Sequence, residues 1–272
     1  MTLLIGCGFL GSHVARTFPK NQPLILTTQS KESADRLKKE FPFVEILSSN
    51  DTEHLQKLLF DANSVIITVA PKNSFLYRET YLELAENLCS ALYKNESVKQ
   101  IIYTSSTSVY GDCDGSLVDE SMMIHPITEQ GKILAETEKT LQSLVNEKRK
   151  VAILRLSEIY GGERSILSRV KQILENCGVG DGSNPTNMIH VNDAARAILF
   201  CFSRKLCGIY NLCDDDHMTR KALYDAVSKK YHLPLITWDP SKKSIHGGRR
   251  IIDNSKIKKE GFSFEYKHRF LG

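Results

Sequence analysis

The chain has 272 residues, 41% hydrophobic and 25% charged, a composition that allows one large domain or two smaller ones and excludes disordered, collagen-like and coiled-coil architectures. No apolar run reaches the roughly 20 residues of a membrane helix, and the first residues do not resemble a signal peptide. The net charge is +4, with nine Lys or Arg against three Asp or Glu in residues 242–272, which we interpret as a solvated surface beside an anionic ligand because no nucleic-acid-binding motif accompanies it.

The cysteines bear on the cellular compartment. There are seven, an odd number, and no two of them form a Cys-x-x-Cys pair. Scattered cysteines of this kind are typical of reduced thiols. We therefore expect a cytoplasmic protein without disulfides, metal site or membrane contact.

Apolar runs rich in β-branched residues alternate with segments of helical periodicity. This alternation is typical of successive βαβ units and predicts an α/β fold with a doubly wound parallel sheet. The predicted strands are Thr2–Ile5, Leu24–Thr28, Val44–Leu47, Val65–Val69, Gln100–Thr104 and Val151–Leu156. The predicted helices between them are His13–Phe18, Ala34–Phe41, Glu53–Phe60, Tyr77–Lys94 and Thr128–Asn146.

After Leu156 the alternation fades, and glycine-containing loops separate further helices. These are predicted at residues 166–176, 192–203 and 219–231. We predict a sheet domain over residues 1–156 and a small interleaved C-terminal cap over residues 157–272. Within the cap, residues 189–212 are expected to return to the sheet domain.

The segment Gly6-Cys7-Gly8-Phe9-Leu10-Gly11 follows the first predicted strand and matches G-x-G-x-x-G. In this motif the first glycine permits a tight turn, the second lets the backbone approach a pyrophosphate, and the third lets a helix lie close to the strand. The helix N-terminus that follows offers N–H groups to phosphate. The segment predicts a Rossmann domain that binds a nicotinamide dinucleotide, with Gly6, Gly8, Phe9, Leu10 and Gly11 around the pyrophosphate.

The end of the second strand favours NADP over NAD. An NAD site usually carries an acidic residue about 20 positions after the glycines, but this chain reads Thr27-Thr28-Gln29-Ser30-Lys31 there. Thr28, Ser30 and Lys31 can donate to a 2′-phosphate, although a plain polar loop would contain the same residues. NADP is therefore the expected cofactor, and NAD is the alternative.

Two further strand ends are candidates for the adenosine half of the cofactor. Asn50 and Asp51 follow the third strand, where they could bond the adenine amine. Ala70 follows the fourth strand, where it could lie under the adenosine ribose.

Four later segments carry a family resemblance. Residues 103–111 (Tyr-Thr-Ser-Ser-Thr-Ser-Val-Tyr-Gly), 154–161, 187–195 and 210–214 resemble, in order, signatures of the extended short-chain dehydrogenases/reductases, the NAD(P)-dependent epimerase/dehydratase family. The resemblance covers nearly the whole chain and implies a Rossmann fold with a substrate-binding cap. The glycine spacing departs from the G-x-x-G-x-x-G of most extended members, which indicates an atypical branch.

The resemblance also implies the catalytic positions. Family members use a Ser and a Tyr-x-x-x-Lys helix, in which Lys holds the nicotinamide ribose, Tyr moves the proton and Ser bonds the substrate oxygen. Ser106 and Lys132 occupy the serine and lysine positions, but Thr128 stands where the tyrosine belongs, and no Tyr-x-x-x-Lys occurs in the chain. Threonine is too weak an acid to replace tyrosine near neutral pH.

Other residues are candidates for the missing acid or for substrate contacts. The possible acids are Tyr81, Tyr110, Tyr160, His125 and Glu129. The possible substrate contacts are Tyr110, His190, Arg249 and Arg250, the two arginines because they can clamp a phosphate or carboxylate. Packing or surface roles are open for each of them.

The sequence predicts an oxidoreductase or epimerase-like enzyme that acts on a hydroxyl or carbonyl of a small polar metabolite. The first alternative is a catalytically inactive NADP-binding sensor or scaffold, favoured by the missing tyrosine. The second is a nucleotide-sugar epimerase or dehydratase, for which the cap is short. A homodimer is possible, and no nucleic-acid partner is expected.

Overall fold

The computed structural model describes residues 1–93, 95–242 and 248–269. Its strands are β1 (Thr2–Ile5), β2 (Leu24–Thr28), β3 (Val44–Ile46), β4 (Ser64–Ile67), β5 (Gln100–Ser106), β6 (Leu117–Val118), β7 (Lys150–Leu156), β8 (Glu158–Tyr160), β9 (Gly178–Val179), β10 (Met188–His190), β11 (Gly208–Leu212), β12 (Trp238–Asp239) and β13 (Ile251–Ile252). Its α-helices are α1 (Phe9–Thr17), α2 (Lys31–Leu37), α3 (Thr52–Phe60), α4 (Leu84–Leu92), α5 (Glu129–Gln142), α6 (Ile166–Leu174), α7 (Val191–Arg204), α8 (Arg220–Lys230) and α9 (Ser255–Lys259).

Seven strands form one sheet in the order β11-β7-β5-β4-β1-β2-β3. Strand β1 pairs in parallel with β2 and with β4, and the pairs β2–β3 and β4–β5 are also parallel. The chain places β2 and β3 on one side of β1 and the later strands on the other. This confirms the predicted doubly wound Rossmann sheet, in which a ligand is expected at the carboxyl ends of β1 and β4, where the order reverses.

The sheet is built on apolar strands. All four residues of β1 are buried, as is typical of a parallel sheet covered on both faces. Leu3 and Ile5 of β1 belong to one hydrophobic cluster with Val65 of β4 and with Leu55 and Leu59 of α3. This core fixes the carboxyl end of β1, from which the glycine segment emerges.

The chain divides into two compact units that are interleaved in sequence. The first unit contains residues 1–105, 132–155 and 195–210, and the second contains residues 106–131, 156–194 and 211–272. Residues 106–131, which precede the predicted boundary at residue 156, thus belong to the second unit. The second unit has its own core, which includes Tyr160, Ile166, Val170, Leu223 and Val227.

Several element bounds differ from the sequence prediction for local reasons. Helix α1 begins at Phe9 rather than His13, because the chain becomes helical inside the glycine segment, where Ser12 N donates to the Gly8 carbonyl (2.9 Å). The helix predicted from Tyr77 contains a π-helical turn (Glu79–Glu83) before α4, and a 3₁₀ turn (Ser74–Leu76) precedes it. Lys94 lies outside the described residues.

The described part of the chain contains no helix that is both long and apolar enough to cross a membrane. Within the same residues, no group of three or more His, Cys, Asp or Glu side chains is arranged to hold a metal ion. The cysteines are free thiols.

Candidate functional site

The glycine loop after β1 is held between the ends of two neighbouring strands. Gly6 has a φ of +88°, a conformation that favours glycine, and a Cβ there would lie 2.7 Å from the Cα of Val69. Its carbonyl accepts from Thr68 Oγ1 (2.9 Å) and its N–H donates to Thr27 Oγ1 (3.3 Å). The turn is therefore fixed by β2 and by the end of β4.

The other two glycines meet the requirements of a dinucleotide loop. A Cβ at Gly11 would lie 2.7 Å from the Gly6 carbonyl oxygen, so only glycine lets α1 pass this close, whereas a Cβ at Gly8 would meet nothing within 4 Å. Gly8 precedes α1 and supplies no side-chain cap, and the first N–H groups of a helix have no carbonyl partner within it. The loop thus fits a dinucleotide, whose pyrophosphate the backbone of Gly8, Phe9 and Leu10 would hold.

Cys7, between the first two glycines, is buried, and its thiol is unreactive. Burial raises the pKa of its thiol to about 12, while the guanidinium groups of Arg16 and Arg36 act in the opposite direction. A protonated thiol is not a nucleophile at neutral pH. Arg16 forms a bidentate ion pair with Glu40 (2.7 and 3.1 Å), so its charge is largely compensated near the loop.

The polar residues after β2 form the start of α2. The Oγ of Ser30 accepts from Ser33 N (3.3 Å) and donates to Ser33 Oγ (3.0 Å), so Ser30 caps the helix. Lys31, the first helical residue, is exposed, and Thr28 is half-buried. The hydroxyl of Ser30 is thus engaged in the helix cap, and the exposed Lys31 has the acidic Glu32 beside it in the first turn of α2.

The residues predicted to contact an adenosine lie after strand ends and are exposed. Asp51 caps α3 by accepting from His54 N (3.0 Å), which leaves its carboxylate partly committed to the helix. Asn50 and Ala70 are exposed. Their side chains lie in the same unit as the glycine loop.

Ser106 ends β5 and begins the 3₁₀ turn Thr107–Tyr110. Its Oγ accepts from Ser108 N (3.2 Å), and the residue is half-buried. Tyr110, at the end of the turn, is 1% exposed and donates through its hydroxyl to Asn211 Oδ1 (2.8 Å). This burial argues against the predicted contact between Tyr110 and a substrate.

Thr128 and Lys132 lie at the N-terminal end of α5. The Oγ1 of Thr128 accepts from Gly131 N (3.1 Å), so the residue predicted to stand at the tyrosine position caps the start of the helix. Lys132 is exposed in the first helical turn. The helix start therefore has a structural reason for threonine that is independent of catalysis.

His190 is enclosed by aromatic side chains of the second unit. Its ring stacks on Tyr266 with centroids 3.6 Å apart and meets Tyr160 edge-on at 5.2 Å. Its Nδ1 accepts from Asn192 N (3.3 Å), which places the proton of the neutral ring on Nε2. These contacts give His190 a packing role, and the predicted ligand contact stays a prediction.

The two arginines of the basic segment have different environments. Arg250 is 8% exposed and donates from Nη1 to the Gly111 carbonyl (2.7 Å), which argues against a substrate clamp. Arg249 is exposed, forms an ion pair with Asp114 and donates through its N–H to Asp112 Oδ1 (2.9 Å). Of the two, Arg249 is the exposed one, but its guanidinium is already engaged by the Asp114 carboxylate.

The candidate acids fall into two groups, buried tyrosines and exposed residues. Burial raises the pKa of the Tyr81 phenol above its ordinary value, and Tyr77 adds to the effect. Tyr160 is 2% exposed, as closely enclosed as Tyr110. Since burial disfavours a phenolate, the exposed residues His125 and Glu129 are better placed to exchange protons with solvent.

Sequence reasoning missed residues whose hydrogen-bond partners lie far away in the sequence. Tyr266 and Arg269 are examples, because each meets its partners across more than 50 residues. The site candidates themselves are divided between the units. In the first unit are the glycine loop, Thr28, Ser30, Lys31, Asn50, Asp51, Ala70 and Lys132, and in the second are Ser106, Tyr110, Thr128, His190, Arg249 and Arg250.

Comparison with known proteins finds relatives along most of the chain. A family model described as the NAD dependent epimerase/dehydratase family matches residues 2–213. The chain is 29% identical to Protein YeeZ of Escherichia coli strain K12 over 274 residues, which span 97% of this chain and 95% of that protein.

Solved structures share the fold. A UDP-N-acetylglucosamine 4-epimerase from Methanobrevibacter ruminantium M1, in complex with UDP-N-acetylmuramic acid, superposes with a TM-score of 0.83 at 19% identity, over 99% of this chain and 94% of that one. A dTDP-glucose 4,6-dehydratase from Bacillus anthracis str. Ames, in complex with NAD, gives a TM-score of 0.82 at 19% identity, over 98% and 93%.

Proposed function

Because this chain belongs to the NAD dependent epimerase/dehydratase family, we propose that it is an oxidoreductase or epimerase-like enzyme that uses NADP in preference to NAD. Its substrate is a small polar metabolite with a reactive hydroxyl or carbonyl group. The glycine loop carries this proposal. Gly6 adopts a left-handed turn, Gly11 has no room for a side chain, and Gly8 faces open space.

In this proposal, residues of the first unit contact different parts of the dinucleotide. The backbone of the glycine loop would hold the pyrophosphate, Asn50, Asp51 and Ala70 the adenosine, and Lys132 the nicotinamide ribose. A nicotinamide bound in this way supplies a hydride donor or acceptor at its C4 position.

The preference for NADP is supported by charge. The segment from Thr27 to Lys31 has no acidic residue, and Lys31 is exposed at the first position of α2. A carboxylate here would repel a 2′-phosphate, whereas Lys31 and the nearby guanidinium of Arg36 attract one. The guanidinium of Arg36 acts electrostatically to lower the pKa of the Cys7 thiol, which supports its placement beside the loop.

The chemistry at the substrate is supported by fewer residues. Ser106, by its match to the family's serine, would donate to a substrate oxygen, and Lys132 would stabilise a neighbouring anion. Thr128 cannot exchange a proton near neutral pH, so a turnover reaction needs a second acid. The exposed His125 and Glu129 are the candidates that burial does not oppose.

Two other functions have specific support. An NADP-binding sensor or scaffold without turnover is favoured by the capping role of Thr128, because a family acid has been replaced by a structural residue. A nucleotide-sugar epimerase or dehydratase is favoured by the fold shared with the two solved enzymes.

Three measurements separate these functions: calorimetric titration with NADPH and NADH, stopped-flow measurement of NADPH oxidation with simple carbonyl compounds, and chromatographic analysis of UDP-sugars incubated with the protein and oxidised NAD or NADP. We expect tighter NADPH binding and carbonyl-dependent oxidation. Binding with neither NADPH oxidation nor UDP-sugar conversion would favour the sensor, and conversion of a UDP-sugar without net change of the cofactor would favour the nucleotide-sugar enzyme. Absence of binding to either dinucleotide would refute the proposal.

A further inference from the structure

Glu138 is a buried carboxylate at the centre of a polar network in the first unit. It lies on α5 and is 2% exposed. Its Oε1 accepts from Ser105 Oγ (2.6 Å), and its two oxygens accept from Nε and Nη2 of Arg155 (3.1 and 2.7 Å). Arg155 and Ser105 are also buried, so one carboxylate joins a helix to two strands of the sheet.

This network is a poor choice if stability alone is required. Removing two charges from water is costly, and a buried ion pair is often no more stabilising than well-packed apolar side chains of the same size. The network instead fixes the relative positions of its elements, because a guanidinium and a carboxylate pair in a forked geometry that tolerates little displacement. Apolar contacts, such as those of Ile133 and Leu141 on the buried face of α5, tolerate sliding and rotation more readily.

The network lies on the same helix as Lys132, so the geometry it imposes on α5 also affects where Lys132 lies. Lys132 lies six residues before Glu138, a rise of about 9 Å along the helix, and it is exposed whereas Glu138 is buried. A rotation or axial shift of α5 would move the Lys132 ammonium together with the helix. The carboxylate of Glu138 opposes both movements, because Ser105 and Arg155 hold it from two different strands.

We infer that Glu138 is a positioning residue that sets where α5 presents Lys132. This inference rests on the proposed function for its consequence, the contact of Lys132 with the nicotinamide ribose. Glu138 touches neither cofactor nor substrate in this role and acts through the placement of the helix.

The placement of Lys132 can be measured without cofactor. Reductive ¹³C-methylation of the lysines gives each ammonium an NMR resonance, and Lys132→Met identifies that of Lys132. We expect Glu138→Gln to shift this resonance. Ser105→Ala keeps the ion pair and changes no charge, so a shift in the same direction there excludes a purely electrostatic cause. An unmoved Lys132 resonance in both variants would overturn the inference.

The consequence for binding is measured by a double-mutant cycle. Glu138→Gln is expected to weaken NADPH binding about fivefold in the wild-type background and to have no effect in the Lys132→Met background, because coupled residues are not additive. Equal weakening in both backgrounds would show a general structural effect and would contradict the inference. If Glu138→Gln does not fold, Ser105→Ala is used in the same cycle, with a smaller effect in the same direction.

Thr137→Val is the matched control. Thr137 is buried beside Glu138 and donates to the Ile133 carbonyl within the helix (2.8 Å). Its removal is expected to lower stability and to leave both the Lys132 resonance and NADPH affinity unchanged. If the wild-type chain binds no dinucleotide, the proposed function fails, while the Lys132 resonance still decides whether Glu138 positions the helix.

Discussion

Asp214 and Arg269 form a fully buried ion pair in the second unit. The Nε of Arg269 lies 2.9 Å from Asp214 Oδ2, and Nη2 lies 3.1 Å from Oδ1. Each side chain is 1% exposed. The end of the described chain is thus joined to the residues that follow β11, and the segment is held by directional bonds.

Arg269→Met should destabilise the protein by about 3–5 kcal/mol, because it leaves the Asp214 carboxylate buried without its cation. Chemical unfolding monitored by tryptophan fluorescence measures the loss. His268→Gln changes an exposed neighbour and is expected to cost less than about 0.5 kcal/mol. Equal unfolding midpoints for Arg269→Met and the wild type would contradict the ion pair.

The same variant has a defined pH dependence. Burial raises the pKa of Asp214 to about 6 even though Arg269 acts to lower it, so loss of Arg269 raises the folded-state pKa further. When the pKa of a carboxyl is higher in the folded than in the unfolded protein, the free energy of unfolding falls as the pH rises from the unfolded to the folded pKa. In the wild type this fall in the free energy of unfolding is complete near pH 6. In Arg269→Met it continues above pH 6, because the folded pKa of Asp214 is higher. The deficit of the variant should therefore be larger at pH 8 than at pH 5.

The glycine loop and the buried partners differ in how far sequence could predict them. The loop is local, since six adjacent residues and the strand before them determine its path, and the positions of the first five strands along the chain followed from short apolar patterns. The environment of Tyr110 depends on Asn211, 101 residues away, and that of Arg250 on Gly111, 139 residues away. No local pattern indicates that these two polar side chains are buried.

Gly8→Asp should abolish dinucleotide binding and leave the protein folded. Gly8 has a φ of −93° and open space at its Cβ position, so the new side chain costs little in the free protein. It would occupy the place of the pyrophosphate and repel it. Calorimetry with NADPH measures the loss.

Gly6→Ala is the contrasting variant for the same loop. Its φ of +88° and the close approach of Val69 predict a loss of stability. Retained NADPH affinity in a folded Gly8→Asp protein would refute the assignment of the loop.

Lys31→Glu should weaken NADPH binding by at least about tenfold, because charge-assisted hydrogen bonds to phosphate contribute about 1.5–3 kcal/mol. NADH, which has no 2′-phosphate, should bind with nearly unchanged affinity. Lys38→Glu makes the same charge change at the other end of α2 and should affect neither ligand. Equal affinities of the wild type for NADPH and NADH would show that the preference is absent.

Thr128→Tyr tests whether the chain is an enzyme that has lost its acid. The spacing of the family motif places Lys132 four residues after the new tyrosine, and an adjacent ammonium stabilises a phenolate. We expect NADPH affinity to change little and carbonyl-dependent oxidation of NADPH to rise above that of the wild type. The variant also loses the hydrogen bond from Gly131 N to Thr128 Oγ1, so its stability should fall by about 1 kcal/mol, as for other lost helix caps.

Thr128→Val is the matched control, because it loses the same cap without gaining a phenol. It should be destabilised equally and show no gain in oxidation, which separates the acid from the cap. If the native protein already uses another acid, activity survives Thr128→Val and falls on replacement of His125 or Glu129, the exposed candidates. A Thr128→Tyr protein that is folded, binds NADPH and oxidises it no faster than Thr128→Val would show that residue 128 does not occupy the position of the family's acid.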